Sequence, residues 1–161
     1  MKTDQDIERI GKAVLDCAFA VHSALGPGLL ESVYEAALAY ELQKRGYCVE
    51  RQVPIPVSYD GQRMEVGFRA DLIVEGAVLV ELKSVEALLP QFKKITTNYV
   101  RLVPVKLGFL INFNEAHLKN GILRVTNGLE CKPFFDQGAA ALAIDFHNPS
   151  PPSRPLRDNL P

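Results

Sequence analysis

The sequence predicts an α/β fold in which a mixed sheet is flanked by helices, and three features predict it. Helix-period apolar spacing dominates up to Arg45, short β-rich pieces replace it after Gly46, and two aliphatic runs, AVLVELK (77–83) and KLGFLINF (106–113), lack polar alternation. Strands of the last kind are buried on both faces, so helices must cover both sides of the sheet.

The elements follow in order. Between residues 4 and 24, Ile7, Ile10, Val14, Leu15, Ala18 and Val21 recur at intervals of three and four, the period of an amphipathic helix, with Thr3 or Asp4 as its N-cap. LGPG (25–28) ends it, because Pro27 lacks an N–H and disfavours helical backbone at Gly26. A second helix is expected over 28–45, stopped by Gly46. Next come YCVERQVPIPVSY (47–59), a turn at Asp60-Gly61, QRMEVGFRADLIV (62–74) and the first buried run. Pro54 and Pro56 cannot donate ladder hydrogen bonds, which places the first strand at an edge. PQFKKITTNYVRL (90–102) is a helix weakened by Thr96, Thr97 and Asn98. KLGFLINF is then a central parallel strand, and GILRV (121–125) one more. The order is α, α, β, β, β, α, β with a possible last strand. Residues 1–127 form one domain and 128–161 an atypical tail, disordered from about 148, where five of the eleven prolines fall.

Composition narrows the function classes. With 47% hydrophobic and 23% charged residues the chain has the make-up of a soluble globular protein, and it contains no apolar run long enough to span a bilayer. MKTDQDIERI has no apolar leader core, so the expected location is the cytoplasm. Cys17, Cys48 and Cys131 are odd in number and lie far apart, and His22, His117 and His147 are equally dispersed, which argues against a zinc site. A formal net charge of -1 provides no global pull toward a polyanion. Any basic surface must be local, drawn from Lys44, Arg45, Arg51, Arg63, Arg69, Lys93, Lys94, Arg101 and Lys106.

RADLIVEGAVLVELKS (69–84) carries the chemistry. Asp71, Glu81 and Lys83 interrupt strands that would otherwise be aliphatic, and buried charge is costly unless it is paired or holds a metal. Glu81 and Lys83, two apart, project from one face. A two-residue Glu75-Gly76 turn pairs Val74 with Ala77 and Asp71 with Val80, turning Asp71 away from Glu81. A three-residue loop over 74–76 pairs Ile73 with Ala77 and Asp71 with Leu79, which makes Asp71 and Glu81 diagonal neighbours. Hydrophobicity fits both registers. Charge selects the second, because the first strands Asp71 alone. Two converging carboxylates suit Mg²⁺ or Mn²⁺ and metal-assisted phosphodiester hydrolysis, with the lysine orienting water or neutralising phosphate. The spacing equally admits a buried ion pair without metal. Glu31 shares a helical face with Tyr34, Glu35 and Leu38 and can tilt toward the sheet, although an acid in a first helical turn also suits the helix dipole.

GLLESVYEAALAYEL (28–42), with Gly28, Glu31 and Tyr34, followed by FRADLIVEGAVLVELKSVEALLP (68–90) and LGFLINF (107–113), resembles the bacterial GxxExxY protein family. That family is similar to the PD-(D/E)XK nuclease superfamily. The resemblance spans about residues 5–127 and implies a restriction-endonuclease-like αβββαβ core. It further implies that Asp71 and Glu81 ligate Mg²⁺ or Mn²⁺, that Glu31 ligates or orients through water, and that Lys83 positions the nucleophile. Tyr99 matches the tyrosine of a helical Q-x-x-x-Y element, while Ile95 stands where relatives usually carry Gln. The implied function is a divalent-metal-dependent nuclease acting on DNA or RNA. The alternative is a catalytically weakened binding or interaction module on the same fold.

Overall fold

The computed structural model describes residues 2–129 and 144–145. The elements run α1 (Asp4–Leu25), α2 (Glu31–Lys44), β1 (Val49–Tyr59), β2 (Gln62–Val74), β3 (Val78–Lys83), α3 (Pro90–Leu102), β4 (Leu107–Asn112), a 3₁₀ turn (Leu118–Gly121), β5 (Ile122–Thr126) and β6 (Ile144–Asp145). This is the expected order, with β6 added. The tail expected to be disordered from 148, and Cys131, lie outside the described residues. Among the described residues Cys17 is buried, Cys48 is exposed, and both are free. No described helix is long and apolar enough to cross a membrane.

Strand order in the sheet is β1-β2-β3-β4-β5-β6. β1 is the edge its prolines require. β3 and β4 run parallel, joined by the α3 crossover, whereas β1–β2, β2–β3 and β4–β5 are antiparallel. Alternation splits the core into two layers. Leu72, Val74, Val78, Val80, Leu82, Leu107, Phe109 and Ile111 pack with α1 and α2, and Ile73, Leu79, Leu110 and Val125 pack with Tyr99 and Val100 of α3. Both buried runs are therefore covered on two sides, as their lack of polar alternation requires.

Two expectations need correction. Helix α2 starts at Glu31 rather than Gly28, because Gly26 and Gly28 adopt positive φ values (70° and 95°). The Tyr34 hydroxyl clamps that loop, donating to the Gly26 carbonyl at 2.6 Å and accepting from Leu29 N at 3.1 Å. The β2–β3 connection has three residues, but they are 75–77 rather than 74–76: Val74 pairs with Val78, Ile73 with Leu79 and Leu72 with Val80. Glu75 itself takes a positive φ of 56° beside Gly76 at 60°. It is held there by Cys48, whose N–H donates to Glu75 Oε1 at 2.8 Å and whose carbonyl accepts from Glu75 N at 2.8 Å. The odd length survives the shift. On this register residue 71 would come opposite Glu81 rather than diagonal to it, although the pairing itself ends at Leu72 and Val80.

Candidate active site

Glu81 and Lys83 share the parity of Leu79, at the end of β3 nearest the start of α2, and Asp71 of β2 reaches them through the backbone of Leu82. The structure brings these three and Glu31 together. Lys83 Nζ donates to Glu81 Oε1 at 2.9 Å, to Glu31 Oε1 at 3.4 Å and to the Leu82 carbonyl at 2.6 Å. Asp71 Oδ2 accepts from Leu82 N at 2.8 Å, which ties the strand β2 acid to the backbone between Glu81 and Lys83. Lys83 Nζ also lies 5.8 Å from the centre of the Phe92 ring, within cation–π range.

The strand end is braced from the far side. Lys83 O accepts from Phe113 N at 2.8 Å, and the buried Asn112 amide exchanges hydrogen bonds with the backbone of Val85 at 2.8 and 3.0 Å. Ser84 Oγ donates to the Leu29 carbonyl at 2.6 Å, joining this end to the loop before α2. Tyr34 stacks on Phe113 with ring centroids 4.6 Å apart. The spacing of Gly28, Glu31 and Tyr34 thereby acquires a physical reason: the glycine turns the chain, the tyrosine fixes the turn, and the acid emerges from the first helical turn over the end of β3.

Burial sets the electrostatics. Glu81 is 6% exposed, and its carboxyl is pushed up to about 7 by desolvation first and by the Asp71 charge second, against the pull of Lys83. Asp71 is also raised, by burial above all, although the Leu82 N–H and Lys83 oppose this. Burial alone would lower the Lys83 ammonium, but the charge and hydrogen bond of Glu81, then Glu31 and Asp71, outweigh it and leave the amine raised. Tyr99, on the buried face of α3, is raised by burial and then by the Glu81 charge, which places it beside the cluster. Ile95, four residues earlier, is partly buried in the α3-side core, and Gln91 is exposed.

Glu81 Oε2 is buried and has no hydrogen-bond partner. An unpartnered buried carboxylate oxygen beside a second carboxylate is the donor chemistry that a hard divalent cation requires. Among the described residues no three His, Cys, Asp or Glu side chains already surround a common point as a metal cage would. The Lys83 ammonium holds that central place, between Glu81 and Glu31. The residues therefore fit a divalent ion in donor type, provided the amine yields.

Two residues to which the sequence assigned no role join the cluster. Glu35, one helical turn beyond Glu31, is buried and accepts from Arg51 Nε at 2.8 Å and from Gln52 Nε2 at 2.6 Å. The same Gln52 nitrogen lies 3.3 Å from Asp71 Oδ1. Gln52 achieves this with a positive φ of 52°, strained for a residue with a side chain, in the middle of β1. Polar residues are ordinary on an edge strand, so nothing in the spacing of Gln52 advertised this role. Its proximity to two prolines was the sole hint of irregular backbone.

No curated protein and no solved structure matches the chain significantly. A family model described as the PD-(D/E)XK nuclease superfamily matches residues 8–125, a span that opens in α1, closes in β5 and contains Glu31, Asp71, Glu81, Lys83 and Tyr99. With well over half of its length so matched, this chain belongs to the PD-(D/E)XK nuclease superfamily.

Proposed function

We propose that this chain is a divalent-metal-dependent nuclease that hydrolyses nucleic-acid phosphodiester bonds at Asp71, Glu81 and Lys83, with Mg²⁺ or Mn²⁺ as its ion. One observation carries the reading: a buried Glu81 carboxylate with an unpartnered oxygen, facing Asp71 and a lysine. Structural ion pairs satisfy their oxygens, whereas this one leaves an acceptor idle in a place where idleness costs about 1–3 kcal/mol.

Asp71 and Glu81 would hold the ion, with Glu31 at its side. Bound there, the ion would neutralise charge on the phosphate and acidify a water. Lys83 carries a full positive charge at neutral pH and supplies it to a phosphoryl oxygen or orients the attacking water. Leu82 N–H fixes the Asp71 carboxylate through Oδ2, and Gln52 steadies its other oxygen. The Phe92 ring centre lies 5.8 Å from the Lys83 ammonium, and Tyr99 packs against the ring of Phe68.

Incubation of the purified protein with labelled DNA and RNA under Mg²⁺ or Mn²⁺ tests the proposal. Cleavage is expected, lost in Glu81→Ala and Lys83→Ala while circular dichroism stays unchanged. Cleavage of equal rate in both variants would reject the assignment. A second reading, a binding module without turnover, is favoured by Ile95 in place of the usual amide and by the closed contact of Lys83 with both acids. It predicts salt-sensitive nucleic-acid binding without cleavage under either metal.

A further inference from the structure

A cavity of about 410 Å³ opens on the β1–β2 hairpin, walled in part by Pro54, Pro56, Arg63, Gly67, Phe68 and Arg69. The hairpin makes it by breaking register. Ile55 pairs with Phe68 but Val57 with Met64, so β2 uses four residue steps where β1 uses two, and the surplus backbone bows out. Gly67 permits the bow: a Cβ there would stand 2.5 Å from the Ile55 carbonyl oxygen. Pro54 and Pro56 have no N–H to offer, which disfavours another strand adding to this edge and leaves the concavity open.

The lining is chemically specific. Phe68 is 43% exposed, and its ring meets that of Tyr99 at 5.1 Å between centroids, tilted by 47°. Asp71 lies three residues further along β2, about 10 Å at the rise of an extended strand. Lys44 and Arg45 pair with Glu41, Arg51 with Glu35 and Lys106 with Asp4. Arg63 and Arg69 are exposed and have no carboxylate partner among the described residues.

Two arginines with no carboxylate partner among the described residues, lining one cavity with an exposed aromatic ring, match a phosphate backbone and an unstacked base. A duplex keeps its bases stacked and offers no such face. We infer that this cavity is a subsite for an unpaired nucleic-acid strand, Phe68 stacking on a base while Arg63 and Arg69 hold the flanking phosphates, so that substrate reaches the carboxylates as a single strand; the inference rests on the nuclease reading for the direction in which the strand runs.

Fluorescence anisotropy on the intact chain, at low salt and with chelator present, tests it using labelled single-stranded DNA and RNA oligonucleotides and a hairpin duplex. Single strands should bind more tightly than the duplex. Phe68→Ala should weaken single-strand binding by about 5- to 150-fold, the range for loss of one stacked base, and Phe68→Tyr should restore it. Joint replacement Arg63→Gln and Arg69→Gln should flatten the salt dependence by about 1.4 in log–log slope, about 0.7 for each phosphate that is no longer neutralised. Duplex bound as tightly as single strand, or Phe68→Ala without effect, would overturn the subsite. Binding that depends on Phe68 in a protein that cuts nothing upholds the subsite and overturns hydrolysis. Cutting that depends on Glu81 in a protein that prefers duplex does the reverse.

Discussion

Glu81 is held where an ionised carboxylate is disfavoured. Its folded pKa, about 7, exceeds the ordinary 4.5, so between these values the fold keeps a proton that the unfolded chain has released. Stability therefore falls as pH rises through that window and stays reduced above it. Glu81→Gln mimics the protonated form. It should stabilise the protein by about 1–3 kcal/mol at pH 8 and by little below pH 4.5, as read from urea midpoints at the two pH values; a variant less stable than the parent at pH 8 would refute this account of the site. Gln52 gives a second residue-level test. Gln52→Leu removes the donor to Glu35 and Asp71 and keeps the strained φ, whereas Gln52→Gly removes the donor and relieves the strain. The glycine variant should be the more stable of the two by about 1 kcal/mol. Asp71, Glu81 and Lys83 were legible in the sequence because charge inside aliphatic runs is conspicuous. Gln52 and Glu35 were not, because a polar residue on an edge strand and an acid on a helix each have an ordinary explanation, and only coordinates show that they face one another.

Among the elements, the β1–β2–β3 meander determines what meets at the site. Parity of the β2–β3 loop was readable, since only an odd connection joins Asp71 to its partners, but the position of the loop was not. The rule that glycine takes the left-handed slot accounts for Gly76 and says nothing of Glu75, whose positive φ depends on a long-range pairing with Cys48. The start of α2 was misplaced for a similar reason: the Tyr34 clamp on the Gly26–Leu29 loop is tertiary. The hairpin bulge yields its own prediction. Gly67→Ala drives a methyl into the Ile55 carbonyl, a backbone atom that cannot step aside, and should cost about 1–3 kcal/mol in chemical denaturation. Free tolerance of alanine there would mean that the strands do not approach as closely as described.

At the scale of the whole molecule, the layered architecture followed from the sequence because two runs without polar alternation demand cover on both faces, and the helix periods on either side supply it. Near-neutral net charge gave no sign of a basic patch, because a sum over the whole chain does not record that Arg63 and Arg69 border one cavity. A bound ion would couple site to fold. An ion present at a hundred times its dissociation constant stabilises a protein by about 2.7 kcal/mol, so saturating Mn²⁺ should raise the melting temperature of the parent and leave that of Asp71→Asn unmoved. The most direct test of the central claim, that Asp71 and Glu81 form a divalent-cation site, is a calorimetric titration of Mn²⁺ into the parent and into Glu81→Ala. Saturable binding at one site in the parent, abolished in the variant, is the predicted result. A parent that takes up no ion, or a variant that binds it equally well, would contradict the claim.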